Sequence, residues 1–230
     1  MTTIHSITHR ATTARWVPFA LVALSLIPTL MGVLRLSELA GGPHVMPANP
    51  GIDASPALVI IHIASVIPYS ILGAFQFSSG LRRRLPGWHR AAGRLLVLLG
   101  LVVAFSGLWL TAFYPRQAGS GTLLYAFRLA AGTAMAVSIV LGFMAIRGGD
   151  IVRHRAWMTR GYAVALGAGT QAFTGGIVAA VPGAGVLAHD LGMGAAWAIN
   201  LGVAEFSIRR SHRGRRGARP AVLASASDLR

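Results

Sequence analysis

The sequence contains no cysteine, no lysine and very few acidic residues. Without cysteine, neither disulfide bonds nor thiolate metal ligands can form in this chain. All 21 basic residues are arginine, against only 6 acidic residues. Charged residues make up 12% of the chain and hydrophobic residues 54%, a balance too apolar for a soluble domain of 230 residues. The composition therefore predicts that the lipid bilayer is the solvent of this chain.

Long apolar segments agree with that prediction. A helix needs roughly 20 mostly apolar residues to cross a hydrocarbon core of about 30 Å. Six segments meet this requirement, which predicts an all-α, polytopic integral membrane bundle of six transmembrane helices. The segments are 16–34, 56–78, 91–114, 123–146, 156–181 and 186–208.

The distribution of arginine predicts the orientation of the bundle. Arginines are concentrated in the second connection, around the fourth and after the sixth segment, whereas the other connections carry few charges. Cytoplasmic connections of membrane proteins carry such an excess of basic residues. Both termini are therefore predicted to be cytoplasmic, in a multi-pass protein of the inner cell membrane. The first segment is interpreted as a retained helix, because Arg35 and Glu38 stand where a signal peptide would have small residues.

The chain shows no linker and no change of composition that would divide its apolar part. One membrane domain is predicted over residues 16–208, preceded by a cytoplasmic N-terminal segment, 1–15. Residues 209–230 are predicted to be a basic, disordered cytoplasmic tail. Beside a membrane, its arginines favour anionic lipid by about 1 kcal/mol each, so lipid rather than nucleic acid is the expected partner.

A histidine followed by an arginine stands twice at the start of an apolar segment, at His89 and at His154. On a helix, each histidine lies above a strip of small residues, with Gly93, Gly100 and Gly107 within about 40° of His89. Such strips let membrane helices pack closely against their neighbours. They would alternatively open a slot for a flat ligand such as haem b, with the two histidines as axial ligands. The sequence leaves both interpretations open.

Basic residues surround these two histidines on the predicted cytoplasmic side. In the haem interpretation, His89 and His154 would bind the iron, the only metal site predicted, and arginines would pair with the propionates. In a second interpretation, the cluster binds an anionic amphiphile such as a quinol or a lipid headgroup. In a third, it is a belt of side chains that contact lipid phosphates. The candidate cofactor-binding residues are His89, His154, Arg90, Arg94, Arg155 and Arg160.

Three ionisable residues predict a polar pocket on the outer side. His62 and Arg128 lie several ångströms inside the apolar zone of their segments, where ionisable side chains usually face a cavity or a partner. Asp190, at the start of the sixth segment, is the candidate partner of Arg128. A structural ion pair and a functional pocket remain the two alternatives.

Several short motifs, in order, resemble those of a family of bacterial membrane proteins, domain of unknown function 2306. The motifs are "GAFQF", "RRRLPGWHRAAGRL", "SGLWLTA", "GD" and "RHRAWMTRGYA". The resemblance implies a membrane protein and brings no activity with it. The arrangement is more distantly similar to haem-b four-helix cytochromes and ferric reductase-like membrane proteins, which implies haem between facing histidines. The residues that match the family's motifs are His62, His89, Arg90, Gly93, Arg94, His154, Arg155, Trp157, Met158 and Arg160.

The sequence offers no recognisable catalytic machinery. Paired carboxylates, a phosphate-binding loop and a nucleophile with its base are all missing, so no catalytic residue is predicted. Two functional hypotheses remain. The first is a haem-binding or redox-associated membrane protein with a cytoplasmic-side histidine pair and a quinol or other redox partner. The second is a non-enzymatic membrane module that binds lipid or another anionic amphiphile.

Overall fold

The computed structural model describes residues 3–47 and 49–227, and every regular element in these ranges is an α-helix. Two of the helices, α2 and α4, are short and lie in connections. The helices are α1 (Thr3–Leu39), α2 (Pro50–Ala54), α3 (Ala57–Gln76), α4 (Ser79–Arg84), α5 (Pro86–Phe113), α6 (Thr122–Arg147), α7 (Ile151–Ala165), α8 (Gly167–Ala179) and α9 (Val186–Ser227).

Five of these helices are long and apolar enough to cross a membrane. They correspond to the first, second, third, fourth and sixth predicted segments, so the expected all-α, multi-pass membrane fold is confirmed. α9 continues beyond its apolar part as far as Ser227, and the predicted division of the chain at residue 208 stays a prediction. The candidate spans are Trp16–Leu39, Ala57–Gln76, Pro86–Phe113, Thr122–Arg147 and Val186–Ser211.

The predicted fifth segment, 156–181, is not one continuous helix. It is divided between α7, with 15 residues, and α8, with 13, and the two meet at Leu166. Each piece is shorter than the roughly 20 residues that one crossing requires. Six separate transmembrane helices are therefore not confirmed, and the difference lies at this break.

Side chains of α9 stabilise the break between α7 and α8. Trp197 donates from Nε1 to the carbonyl of Val164, and Asn200 donates from Nδ2 to the carbonyl of Ala163, both at 3.2 Å. In an unbroken helix these carbonyls would accept from the amides of residues 167 and 168. Residue 167 is glycine, and a Cβ atom there would collide with the Trp197 indole. The break between α7 and α8 and the packing of Trp197 against it therefore depend on each other.

The centre of the bundle is a ring of four helices. α5 packs between α3 and α6, α6 packs against α7, and α7 contacts α3. α1 packs against α3 and α8, while α9 covers α6, α7 and α8. The buried core inside the ring includes Tyr69, Leu96, Val103, Met135, Ile139 and Tyr162.

The glycine strip of α5 accommodates side chains of α3. Its three glycines are seven residues apart, and the α3 side chains that meet them have the same spacing. At Gly100 a Cβ atom would lie 2.6 Å from Cε2 of Tyr69 and 2.7 Å from Cδ1 of Ile139. Small residues thus allow two antiparallel helices to approach closely. The facing pairs are Gly93 with Gln76, Gly100 with Tyr69, and Gly107 with His62.

Candidate functional site

Charge is distributed unequally between the two ends of the bundle. We call the end formed by the α3–α5 and α6–α7 connections the arginine-rich end, and the opposite end the neutral end. Of the residues that the structure describes, 17 of the 20 arginines and two of the five acidic residues belong to the arginine-rich end by their positions along the antiparallel helices. The formal net charge of +15 therefore resides there. The arginine, aspartate and glutamate residues of the neutral end are Arg35, Glu38, Asp53, Arg116, Arg128 and Asp190.

Two buried polar atoms at the arginine-rich end have no hydrogen-bond partner among the described residues. They are Nδ1 of His89, at the start of α5, and Nε2 of Gln76, the last residue of α3. The Gln76 amide lies over Gly93, one turn after His89, with Oε1 3.9 Å from the position of an added Cβ. Leaving such groups unsatisfied costs about 1–3 kcal/mol each. This pair is therefore the strongest indication of a binding site at this end.

His154 approaches the same region from α7. Its Nδ1 lies 2.9 Å from the carbonyl oxygen of Gly142 on α6. Because a carbonyl only accepts, Nδ1 of His154 is the donor of this hydrogen bond. His89 interacts electrostatically with both His154 and Arg82 of α4. We call Gln76, Arg82, His89 and His154 the polar cluster of the arginine-rich end.

The predicted arginines of this end do not all have the same surroundings. Arg160 forms a bidentate ion pair with Glu205 of α9, at 2.5 Å from Nε and 3.1 Å from Nη2. Its guanidinium also lies 4.7 Å from the centroid of the Trp157 ring, so Arg160 already has partners within the protein. The side chains of Arg90, Arg94 and Arg155 are exposed.

The space between α5 and α7 is where the haem of the first hypothesis would lie. A macrocycle held by His89 and His154 would need a flat gap between these helices, which are opposite each other in the ring. In the middle of the ring of helices this space is filled by Tyr69 and Tyr162, with ring centroids 5.9 Å apart, and Tyr162 donates to the carbonyl of Ser70 at 2.6 Å. No group of three or more potential metal ligands occurs in the part of the chain that the structure describes. The haem hypothesis gains no support from this geometry.

His62, the first residue of the predicted outer pocket, is tied to α5. Its Nδ1 lies 2.8 Å from Oγ of Ser106, whose hydroxyl donates to the carbonyl of Val102 at 2.5 Å. The serine oxygen therefore accepts from the histidine, and the ring packs against Gly107. This arrangement joins α3 to α5 close to the neutral end.

Asp190 is buried and caps α6 from a different helix. Its two carboxylate oxygens accept from the amides of Gly121 and Leu124, each at 3.0 Å, and so satisfy donors at the start of α6. Arg128 interacts with Asp190 electrostatically, but the structure places no ion pair within 4 Å between them among the described side chains. Asp190 thus caps α6 and interacts with Arg128 only over a distance longer than that of an ion pair.

Sequence reasoning missed Gln76, Arg116 and the contact of Trp197 with the helix break. Gln76 belongs to the "GAFQF" motif, and its seven-residue spacing from Tyr69 and His62 was a usable signal. Asn200 gave a weaker signal, because one amide in an apolar segment commonly forms an interhelical hydrogen bond wherever it occurs.

Five apolar helices around a common buried core define a polytopic α-helical integral membrane protein. The chain belongs to the predicted membrane protein family DUF2306, whose model matches residues 59–208. The match therefore extends from α3 to α9 and includes the whole central ring, which confirms the family suggested by the motifs. No curated protein and no solved structure matches the chain.

Proposed function

We propose that this protein is a non-enzymatic module of the inner cell membrane that binds the headgroup of an anionic amphiphile at its arginine-rich end. The polar cluster, Gln76, Arg82, His89 and His154, forms the binding site. The single observation that carries the proposal is the pair of buried, unpartnered atoms, His89 Nδ1 and Gln76 Nε2, at the end with the whole net charge. The membrane's anionic lipids are the ligands that this location makes most accessible.

The chemistry of the cluster fits an oxyanion. The Gln76 amide donates hydrogen bonds, and so does Nδ1 of His89 when it carries its hydrogen. The planar guanidinium of Arg82 adds paired donors that suit phosphate and carboxylate oxygens. α4 contributes two more arginines directly after Arg82, and their side chains are exposed. Such a headgroup would satisfy both unpartnered atoms and offset part of the positive charge.

The proposal includes an orientation with six crossings and both termini in the cytoplasm. α7 and α8 together form the remaining crossing. α7 meets α6 at the arginine-rich end, where His154 bonds to Gly142. α8 ends near the start of α9, where a Cβ atom on Gly192 would lie 2.6 Å from Val178. The excess of arginine at one end supports a cytoplasmic location for that end.

Native mass spectrometry of detergent-purified protein tests the site. Vesicles of phosphatidylglycerol and phosphatidylcholine supply the probes, and we compare the wild type with His89→Leu and Gln76→Leu. Each variant removes one unpartnered polar atom, so the lipid-free protein should be equally stable or more stable. Retention of phosphatidylglycerol should nevertheless fall by about tenfold, the equivalent of about 1.4 kcal/mol.

Arg153→Gln is the matched control, because it removes an exposed positive charge from the same end. It should retain the lipid nearly as the wild type does. If all three variants retain phosphatidylglycerol equally, the arginine-rich end is a general belt for lipid phosphates and the proposed site is wrong.

A further inference from the structure

A small cavity opens at the neutral end, between the end of α5, the α5–α6 connection and the first turns of α6. Its volume is about 30 Å³, enough for about two water molecules or a small ion. Two arginines and several hydroxyl groups line it. The Asp190 carboxylate is not part of the lining, but it accepts from the amide of Gly121, which is. The lining polar residues are Thr111, Tyr114, Arg116, Ser120, Tyr125 and Arg128.

Arg128 is half-buried in a helix that crosses the membrane, where a charged side chain requires a partner. Among the described residues it makes neither a hydrogen bond nor an ion pair. The nearest acidic group that interacts with it, Asp190, directs its two oxygens to the amides of Gly121 and Leu124. All five guanidinium donors of Arg128 are therefore available to a ligand.

Arg116 is held at the same cavity by two contacts. Its Nη1 donates to Oγ1 of Thr122 at 3.2 Å, and its guanidinium lies 4.7 Å from the centroid of the Tyr125 ring. These contacts leave further N–H groups free. Both guanidinium groups line the same small cavity, so an anion bound there would interact favourably with both.

The hydroxyl groups of the lining differ in what they can offer. Tyr114 donates to the carbonyl of Ser55, and Thr111 donates to the carbonyl of Gly107 at 2.7 Å, so neither hydrogen is available. The hydroxyls of Ser120 and Tyr125 donate no hydrogen bond to any residue that the structure describes. The free donors are thus two guanidinium groups and two hydroxyls, a set that suits a small group with several oxygen acceptors.

We propose that this cavity binds a small oxyanion, a phosphate or carboxylate group, between Arg116 and Arg128. The volume admits the anionic group and not a large molecule around it. The anion is therefore either free in solution or the exposed end of a lipid headgroup in the outer leaflet. This site lies at the opposite end from the polar cluster and does not depend on it.

The probe is inorganic phosphate, added to detergent-purified protein at constant ionic strength with chloride as the replaced anion. Thermal unfolding should show a saturable rise of the midpoint in the wild type, since a ligand that binds the folded state stabilises it. Arg128→Gln should weaken the apparent phosphate affinity at least tenfold. Arg116→Gln, an exposed position, provides a second variant that folds even if the first does not.

Arg147→Gln is the control, because it removes an exposed arginine from the other end and should keep the wild-type response. A repetition in phosphatidylglycerol nanodiscs separates the two sources. If added phosphate still raises the midpoint to saturation in these nanodiscs, the ligand is a free anion. If the rise disappears there, the lipid headgroup already occupies the cavity, and both results support the site. A wild type without saturable stabilisation, or variants that respond equally, would overturn the proposal.

Discussion

Gly100→Ala is expected to destabilise the protein, because the glycine strip of α5 is a packing surface and not a slot. An added Cβ would lie 2.6 Å from the Tyr69 ring and 2.7 Å from Ile139, both in the buried core. Overpacking of a filled core typically costs 1–3 kcal/mol. For a chain of this size, that corresponds to about 2–4 °C of unfolding midpoint per kcal/mol. Thermal unfolding in detergent, followed by tryptophan fluorescence, measures the change.

Gly93→Ala provides a control on the same strip of the same helix. Its added Cβ would lie 3.9 Å from Oε1 of Gln76, an ordinary contact distance. Since alanine favours helix over glycine by up to about 1 kcal/mol, this variant should be neutral or stabilised. Equal midpoints for Gly100→Ala and Gly93→Ala would refute the reasoning and return the strip to the candidates for ligand binding.

Two further variants test contacts between helices by the same unfolding assay. Asp190→Asn turns one carboxylate oxygen into a donor opposite the amide of Gly121 or Leu124, so the midpoint should fall by several degrees. The exposed Asp53→Asn should leave the midpoint unchanged, and an equal effect of both would contradict the capping role. Trp197→Phe keeps a ring against the helix break and removes the donor to Val164, at a cost of about 1–3 kcal/mol. The same change at the exposed Trp109 should cost little, and equal losses at both positions would argue against this hydrogen bond.

Hydropathy predicts the crossings of this fold well and misses the break at Leu166. The stretch from 156 to 181 is predominantly apolar, and apolar composition does not distinguish one helix from two. The break depends on Trp197 and Asn200, which are distant in sequence and supply the donors for the freed carbonyls. The glycine at 167 was a local indication of the break, but a glycine in a membrane helix is equally compatible with close packing.

The candidate sites were only partly predictable, because sequence identifies polar residues and not their partners. His89 and His154 were found from their repeated motif, whereas Gln76, which the proposed site also includes, was not. Asp190 was expected to pair with Arg128, but the start of α6 offers it two amide donors at 3.0 Å. The tertiary structure decides which donors the Asp190 carboxylate binds. The seven-residue spacing of His62, Tyr69 and Gln76 was visible in the sequence and would have favoured the packing interpretation of the strip.

Single-cysteine labelling is the most direct test of the orientation on which the functional proposal rests. The chain has no native cysteine, so each introduced thiol reports one position without background. Gly185→Cys, in the α8–α9 connection, and Gly87→Cys, at the arginine-rich end, are both open positions where an added Cβ meets no atom within 4 Å. Our account predicts that a membrane-impermeant maleimide labels Gly185→Cys in intact cells and labels Gly87→Cys only after lysis. Labelling of Gly87→Cys in intact cells, or protection of Gly185→Cys, would contradict it.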